Sequence, residues 1–229
     1  MKHGKNYNNS KEKVKGRQDH PIGEALDLLE SFAKAKFDET VDMAVRLGVN
    51  PKHADQMVRG TVVLPNGTGK TVRVLVITRG PKEQEAKDAG ADLVGADEFL
   101  PKIKDGWTDV DVIIATPDMM GELGRLGRIL GPRGLMPNPK VGTVTMDITK
   151  AVTEAKAGRI EYRTDKAGII HAPVGKRSFD KDKLEENIRT LYRELIRVKP
   201  SAVKGTYVKS VDLSATMTPA IRIEAASLA

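Results

Sequence analysis

Four cations without a single acid mark the most unusual stretch of this sequence. Between Gly124 and Lys140 the chain carries Arg125, Arg128, Arg133 and Lys140 on a backbone rich in glycine and proline. Guanidinium and ammonium groups pair with phosphate oxygens, and such a backbone can hold them as a semi-rigid surface. The stretch is therefore typical either of a loop that contacts a phosphate backbone or of a structural loop that caps a sheet. The sequence alone leaves both interpretations open.

Two further segments combine cations, hydroxyl groups and an aromatic side chain on predicted strands. They span residues 34–40 and 159–171, and side chains of this kind read the 2′-hydroxyls, phosphates and base edges of RNA. Aromatic residues make up only 4% of the chain, so a folded RNA fits better than a single strand stacked on an aromatic platform. Phe37 has an alternative role, because a large apolar residue at the start of a strand is also typical of a core.

The sequence gives little support for nucleotide binding, metal binding or catalysis. Residues 66–71 (NGTGKT) resemble the end of a phosphate-binding loop, but the first glycine of that motif falls on Leu64 and a strand follows, so we interpret the segment as a hinge. The chain has no cysteine, and its four histidines lack the spacing of a metal site. We expect no cofactor and no metal. An enzyme acting on a phosphorylated small molecule in a cleft between two domains stays as the alternative to an RNA-binding protein.

The net charge of +7 is unevenly distributed along the chain. It amounts to +2 for residues 1–68, 0 for residues 69–156 and +5 for residues 157–229, and a basic excess favours polyanionic partners. Residues 1–17 form a basic tail, typical either of a solvated extension or of a specific contact. The apolar runs are too short for a membrane span and the N-terminus has no apolar leader, so we expect a cytoplasmic protein without membrane contact.

The spacing of apolar residues predicts helices and antiparallel strands at both ends of the chain. Helical spacing predicts helices over 22–35 and 181–198. Alternation predicts a strand over 37–47, interrupted only at Glu39, with residues 57–64 as its partner. Further strands are predicted over residues 159–163, 169–174, 206–213 and 220–224.

The middle of the chain has a different pattern. Strands and helices alternate over residues 71–115, which predicts a βαβαβ unit with a small parallel sheet. A helix over 118–130 and an irregular loop over 131–139 follow. The last predicted helix of this part spans 147–157, with Asp147 or Thr149 as its N-cap and Gly158 as its terminator.

These patterns predict an α/β protein of two domains. Residues 1–68 and 157–229 form a discontinuous α+β outer domain with an antiparallel sheet. Residues 69–156 form an inserted, Rossmann-like, three-layer α/β domain. The two connections, near 65–70 and 156–160, are expected to act as hinges, because short double connections permit rigid-body opening and closing.

Several motifs carry a resemblance to a known family. They are residues 35–41 (AKFDETV), 59–62 (RGTV), 64–65 (LP), 69–70 (GK), 127–140 (GRILGPRGLMPNPK), 156–166 (KAGRIEYRTDK) and 171–175 (HAPVG). Together they resemble the family of bacterial large-subunit ribosomal protein number one, and the similarity covers nearly the whole chain. The family has the same two-domain plan, with a middle domain inserted between hinges.

The resemblance implies a non-catalytic monomer within the large ribosomal subunit. It implies binding to the stalk region of large-subunit rRNA, formation of the mobile stalk beside the exit site, and help in releasing deacylated tRNA. It also implies translational repression by binding a similar RNA fold in the messenger of the protein's own operon. The basic loop at Arg125, Arg128, Arg133 and Lys140 is expected to face tRNA or another RNA transiently.

The family's main rRNA contact lies on the outer domain. Its matching residues here are Lys36, Phe37, Thr40, Arg163, Lys166, His171, Ser210, Thr216 and Met217. We expect the cations Lys36, Arg163 and Lys166 to pair with phosphates. We expect the hydroxyls of Thr40, Ser210 and Thr216 to bond 2′-hydroxyls or neighbouring RNA groups, and Phe37 and Met217 to pack on sugar or base. The sequence has Thr218 where the family pattern Thr-Met-Gly-Pro has glycine.

Overall fold

The computed structural model describes residues 4–14 and 18–228. It confirms the α/β class, with both antiparallel and parallel sheets. The chain divides into two compact units. The outer unit contains the residues up to Gly69 and those from Ile160, and the inner unit is Lys70–Arg159.

A four-stranded antiparallel sheet organises the outer unit. Its strands are β1 (Thr40–Leu47), β7 (Ile169–Lys176), β8 (Val208–Ala215) and β9 (Ile221–Ile223), in the order β7-β1-β8-β9. Alternate side chains of β1, from Val41 to Leu47, are buried in the core. Because side chains alternate across a strand, the others point to the opposite, accessible face. We call it the open face.

Two helices pack in the core on the buried side of this sheet. They are α2 (Ile22–Ser31) and α8 (Lys181–Arg197). Both begin where predicted, but α2 ends at Ser31 rather than at residue 35, because the backbone becomes extended at Phe32. A shorter helix, α1 (Lys5–Lys13), lies within the predicted basic tail, and Val14 after it is buried. This part of the tail is therefore folded onto the outer unit rather than a solvated extension, whereas residues 1–3 and 15–17 lie outside the described residues.

Residues 57–64 do not pair with β1 as predicted. They contain β2 (Arg59–Val63), which pairs with β6 (Arg159–Arg163) in a separate two-stranded sheet. Both sides of β1 are already occupied, because it pairs antiparallel with β7 and with β8. The prediction was wrong because alternation reveals which face of a strand is buried but not which strand lies beside it.

The inner unit has three layers around a parallel sheet. The sheet consists of β3 (Val74–Ile77), β4 (Leu93–Val94) and β5 (Val112–Ala115), in the order β4-β3-β5. Leu75 and Ile77 belong to one apolar cluster and Val74 and Val76 to another, so both faces of β3 are covered. The helices on the two sides are α3 (Lys82–Asp88) and α7 (Ile148–Lys156) on one, and α4 (Phe99–Lys104), α5 (Met120–Arg125) and α6 (Gly127–Leu130) on the other.

The predicted helix over 118–130 is broken into three pieces. A 3₁₀ turn at Pro117–Met119 precedes α5, and α5 and α6 are separated at Leu126. Glycines recur through this stretch, and glycine weakens the interior of a helix. The next helix, α7, begins as predicted: the Asp147 carboxylate accepts a hydrogen bond from Lys150 N at 3.1 Å, so Asp147 rather than Thr149 is its N-cap.

Candidate nucleic-acid interface

The beginning of β1 and the end of β8 bring two distant segments together. Because the strands run antiparallel, Val41 lies opposite Ala215. Thr216 N donates to Thr40 O at 3.1 Å, and Thr40 N donates to the Thr216 hydroxyl at 3.2 Å. The loop that precedes β1 and the turn that follows β8 therefore meet at one end of the sheet, which we call the Thr40 end.

Five of the predicted site residues lie at the Thr40 end: Lys36, Phe37, Thr40, Thr216 and Met217. Phe37 is 55% exposed and Met217 is 61% exposed. Phe37 also precedes the first residue of β1, so it is neither part of the strand nor a core residue. Exposed apolar side chains that share one surface are typical of contact sites, so the Thr40 end is a candidate contact site.

The hydroxyls at this end already have protein partners. Lys176 Nζ donates to Thr40 Oγ1 at 2.8 Å. The Thr216 hydroxyl accepts from Thr40 N and also lies 3.4 Å from Thr40 O. Each hydroxyl oxygen has a second lone pair, so both groups retain capacity for an outside partner. Their bonds also hold the turn against the strand.

The other four predicted residues lie toward the opposite end of the outer unit. On the open face His171 is opposite Ala44, and Ser210 is opposite Arg46. Lys166 lies exposed in the turn before β7, and Arg163 is exposed at the end of β6. The list of predicted residues therefore forms one compact group and one dispersed group. Along β1, Thr40 and Arg46 are about 20 Å apart.

Three cations of the outer unit were missing from the predicted site. Lys176 lies opposite Thr40, and Arg46 lies on the open face between Ile169 and Ser210. Arg222 lies opposite Asp212 and pairs with Asp19 at 2.9 Å. Arg46 and Arg222 line one depression of the surface together with His171, Ser210 and Asp212. Alternation along the strands predicts the face of Arg46, but it does not reveal which residues of neighbouring strands lie beside it.

Acidic residues limit the positive charge of this surface. Asp42 lies on the open face, where burial raises the pKa of its carboxyl although His171 and Lys176 act in the opposite direction. The pKa of Asp165 is lowered, mainly by the hydrogen bond from Ile169 N. That bond measures 2.8 Å and fixes the turn that carries Lys166. The face is thus a mixture of charges and suits a shaped partner better than a uniform polyanion.

The basic loop of the inner unit combines exposed cations with apolar residues that pack against the core. Arg125, Arg128, Arg133 and Lys140 are all exposed, and none of them forms an ion pair with a residue in the described ranges. Other cations of the same unit are paired with carboxylates: Lys70, Arg73, Arg79 and Lys102. Between the cations, Leu135 and Met136 pack against the core. Arg125 is the last residue of α5 and Arg128 lies in α6, whereas Arg133 lies in the irregular segment that follows. The basic loop therefore consists of two short helical ends and a loop, and its four cations are exposed.

Residues 4–14 and 18–228 contain no cluster of three histidines, aspartates or glutamates placed to hold a metal ion. Over the same ranges, every helix is too short or too polar to cross a membrane.

Comparison with known proteins shows the family to which the chain belongs. Residues 29–219 match the model of the ribosomal protein L1p/L10e family. The chain is 58% identical over 221 residues to large ribosomal subunit protein uL1 of Chlorobaculum tepidum, and the alignment covers 96% of both proteins. Identity and coverage are the same for large ribosomal subunit protein uL1 of Chlorobium chlorochromatii. The family match contains every site residue predicted from the sequence, from Lys36 to Met217.

Proposed function

Because the chain belongs to the ribosomal protein L1p/L10e family, we propose that it binds large-subunit ribosomal RNA directly through the Thr40 end and the open face of its outer unit. Family membership makes the chain a structural constituent of the large ribosomal subunit. It is not an enzyme, so the alternative of a catalyst acting on a phosphorylated small molecule is withdrawn.

The exposure of Phe37 and Met217 at one end of the sheet is the observation that supports this proposal most strongly. Both are apolar, and a ribose or base face is the part of RNA that covers such groups. Lys36 lies beside Phe37 in the chain and pairs with no described carboxylate, so its ammonium is available to a phosphate. The hydroxyls of Thr40 and Thr216 bond neighbouring polar groups of the RNA.

The remaining residues extend the contact along the outer unit. His171 and Ser210 are about 13 to 20 Å from the Thr40 end along the strands, a distance that a folded RNA spans more readily than one nucleotide. Arg163 and Lys166 pair with phosphates at the margin. The mixed charge of this face favours recognition of a particular RNA shape, here the stalk region of the large-subunit rRNA.

Two finer roles belong to the same proposal. The outward cations of the basic loop, which have no carboxylate partner in the described chain, suit a transient contact with deacylated tRNA leaving the exit site. The outer unit would also recognise an rRNA-like fold in the messenger of the protein's own operon, and repress its translation. The resemblance described above is what supports this second role.

Lysine footprinting tests the rRNA contact. The purified protein is acetylated briefly with and without the rRNA stalk segment, and the modified lysines are quantified by mass spectrometry. We expect RNA to protect Lys36 and Lys166, but not Lys104 and Lys150, which are exposed in the inner unit. Equal protection of all four lysines, or none, would contradict an interface on the outer unit. A parallel experiment with deacylated tRNA should protect Lys140.

A further inference from the structure

A buried ion pair lies directly behind the Thr40 end. Glu39 is 1% exposed and the Arg177 side chain is 6% exposed, and Arg177 Nη1 lies 2.7 Å from Glu39 Oε1. Glu39 is the one residue that interrupts the apolar alternation leading into β1. A carboxylate at a core position costs free energy unless it is paired and hydrogen-bonded, so its partners indicate its role.

Arg177 fixes the end of helix α2 and the loop that follows it. Its guanidinium donates to Leu29 O at 2.8 Å, to Phe32 O at 2.6 Å and to Ala33 O at 3.2 Å. The last carbonyls of a helix have no partner within the helix, and a cation there satisfies them and the negative end of the helix dipole. Arg177 therefore determines the direction in which the chain leaves α2 toward Phe37.

Glu39 connects that loop to the turn after β8. Its Oε1 accepts a hydrogen bond from Ala35 N at 3.0 Å, and its Oε2 accepts one from Met217 N at 3.0 Å. Ala35 precedes Lys36 and Phe37, so one carboxylate holds the backbone of both segments that carry the exposed apolar side chains. Burial alone would raise the pKa of Glu39, but these two hydrogen bonds and Arg177 outweigh it, and the pKa lies below its ordinary value.

We propose that Glu39 and Arg177 are positioning residues of the RNA interface, which hold Phe37 and Met217 in the binding arrangement before RNA arrives. The inference rests on the proposed function. Buried ion pairs contribute little net stability compared with apolar residues, and their attested use is to specify one arrangement. Loops that are already ordered lose less conformational entropy on binding, which raises affinity. Neither residue needs to contact the RNA.

The test combines Glu39→Gln and Arg177→Lys with binding to the rRNA stalk segment. The glutamine side chain would present an NH₂ group to one of the two backbone donors, and lysine cannot satisfy several carbonyls at once. We expect each variant to bind about tenfold more weakly or worse. The matched controls are Arg59→Lys and Glu161→Gln, a partly exposed pair whose charged atoms are 2.6 Å apart, and they should bind like the unaltered protein.

A double-mutant cycle separates positioning from a general structural effect. In a Met217→Ala background, Glu39→Gln should weaken binding by a clearly smaller factor, because the side chain it positions has been removed. In a Lys166→Ala background, Glu39→Gln should weaken RNA binding by the same factor as in the unaltered protein. If Glu39→Gln weakens RNA binding by the same factor in both backgrounds, the proposal is overturned. It is also overturned if the folded variants keep the affinity of the unaltered protein.

Hydrogen exchange keeps the proposal testable if Glu39→Gln does not fold. In folded Arg177→Lys the amides of Ala35 and Met217 should exchange faster than in the unaltered protein, while amides of β1 stay protected. Unchanged exchange of both amides would refute the role of Arg177. If the unaltered protein fails to bind the rRNA segment at all, the proposed function fails instead, and the two failures are thereby distinguished.

Discussion

Replacing Met217 by alanine isolates the apolar part of the RNA contact. Met217 is 61% exposed in the free protein, so truncating it removes little from the core. Full burial of a methionine side chain contributes about 1.5–3 kcal/mol. If RNA covers the exposed part, the truncation should cost about 1–2 kcal/mol of binding, or about five- to thirtyfold in Kd. The stability of the free protein should change by less than about 0.5 kcal/mol.

The assay is equilibrium binding to a fluorescently labelled rRNA stalk segment, with urea denaturation as the stability measurement. Met146→Ala is a matched control, because Met146 has nearly the same exposure, 56%, but lies in the inner unit, which carries none of the proposed rRNA contacts. Lys82 Nζ donates to the backbone carbonyl of Met146 at 3.0 Å, and this hydrogen bond is kept in the alanine variant. The variant loses the contact between Lys82 Nζ and the Met146 sulfur. Equal RNA affinity of the two variants would refute the reasoning.

Three further predictions concern the fold. Deleting residues 70–159 and joining the ends with a short glycine linker should leave a folded, rRNA-binding outer unit, measured by circular dichroism and RNA binding; an unfolded product would contradict a discontinuous domain. Burial raises the pKa of Tyr162 and of Tyr207 to about 12. Since both phenols ionise near pH 10 when unfolded, the free energy of unfolding should fall as the pH rises from about 10 to about 12, and less so in Tyr162→Phe. Gly60→Ala should destabilise the protein by about 1–3 kcal/mol, measured by urea denaturation, because a Cβ would lie 2.5 Å from the Tyr162 hydroxyl. Gly23→Ala is the control and should not destabilise it, because a Cβ there meets nothing within 4 Å.

The elements that were predicted well are those whose pattern is local. Helix α8 and strands β3 and β5 follow from spacing within one segment, and Asp147 caps α7 through a bond to a residue three positions away. The predicted partner of β2 was wrong because the pairing joins residues such as Arg59 and Glu161, which are 102 positions apart. Local pattern contains no information on such distant neighbours.

The candidate site was predicted unevenly for the same reason. Phe37 had two interpretations, core or contact, and its exposed place in the loop before β1 excludes the core. The interruption at Glu39 was visible in the sequence, but its meaning depends on Arg177, 138 positions later, and on Met217. A buried charge can be recognised in the sequence because it interrupts an apolar pattern. Its partner can be identified only from the folded structure.

Salt-dependent RNA binding tests the central claim most directly. The purified protein is titrated with the stalk segment of large-subunit rRNA and with an unrelated folded RNA of equal length, over a range of salt concentrations. Specific contacts persist where purely ionic binding is lost. The account predicts tight binding to the rRNA segment at salt levels where the control RNA has dissociated. Equal affinities with the same steep salt dependence would show only the +7 charge and would contradict structured recognition by the outer unit.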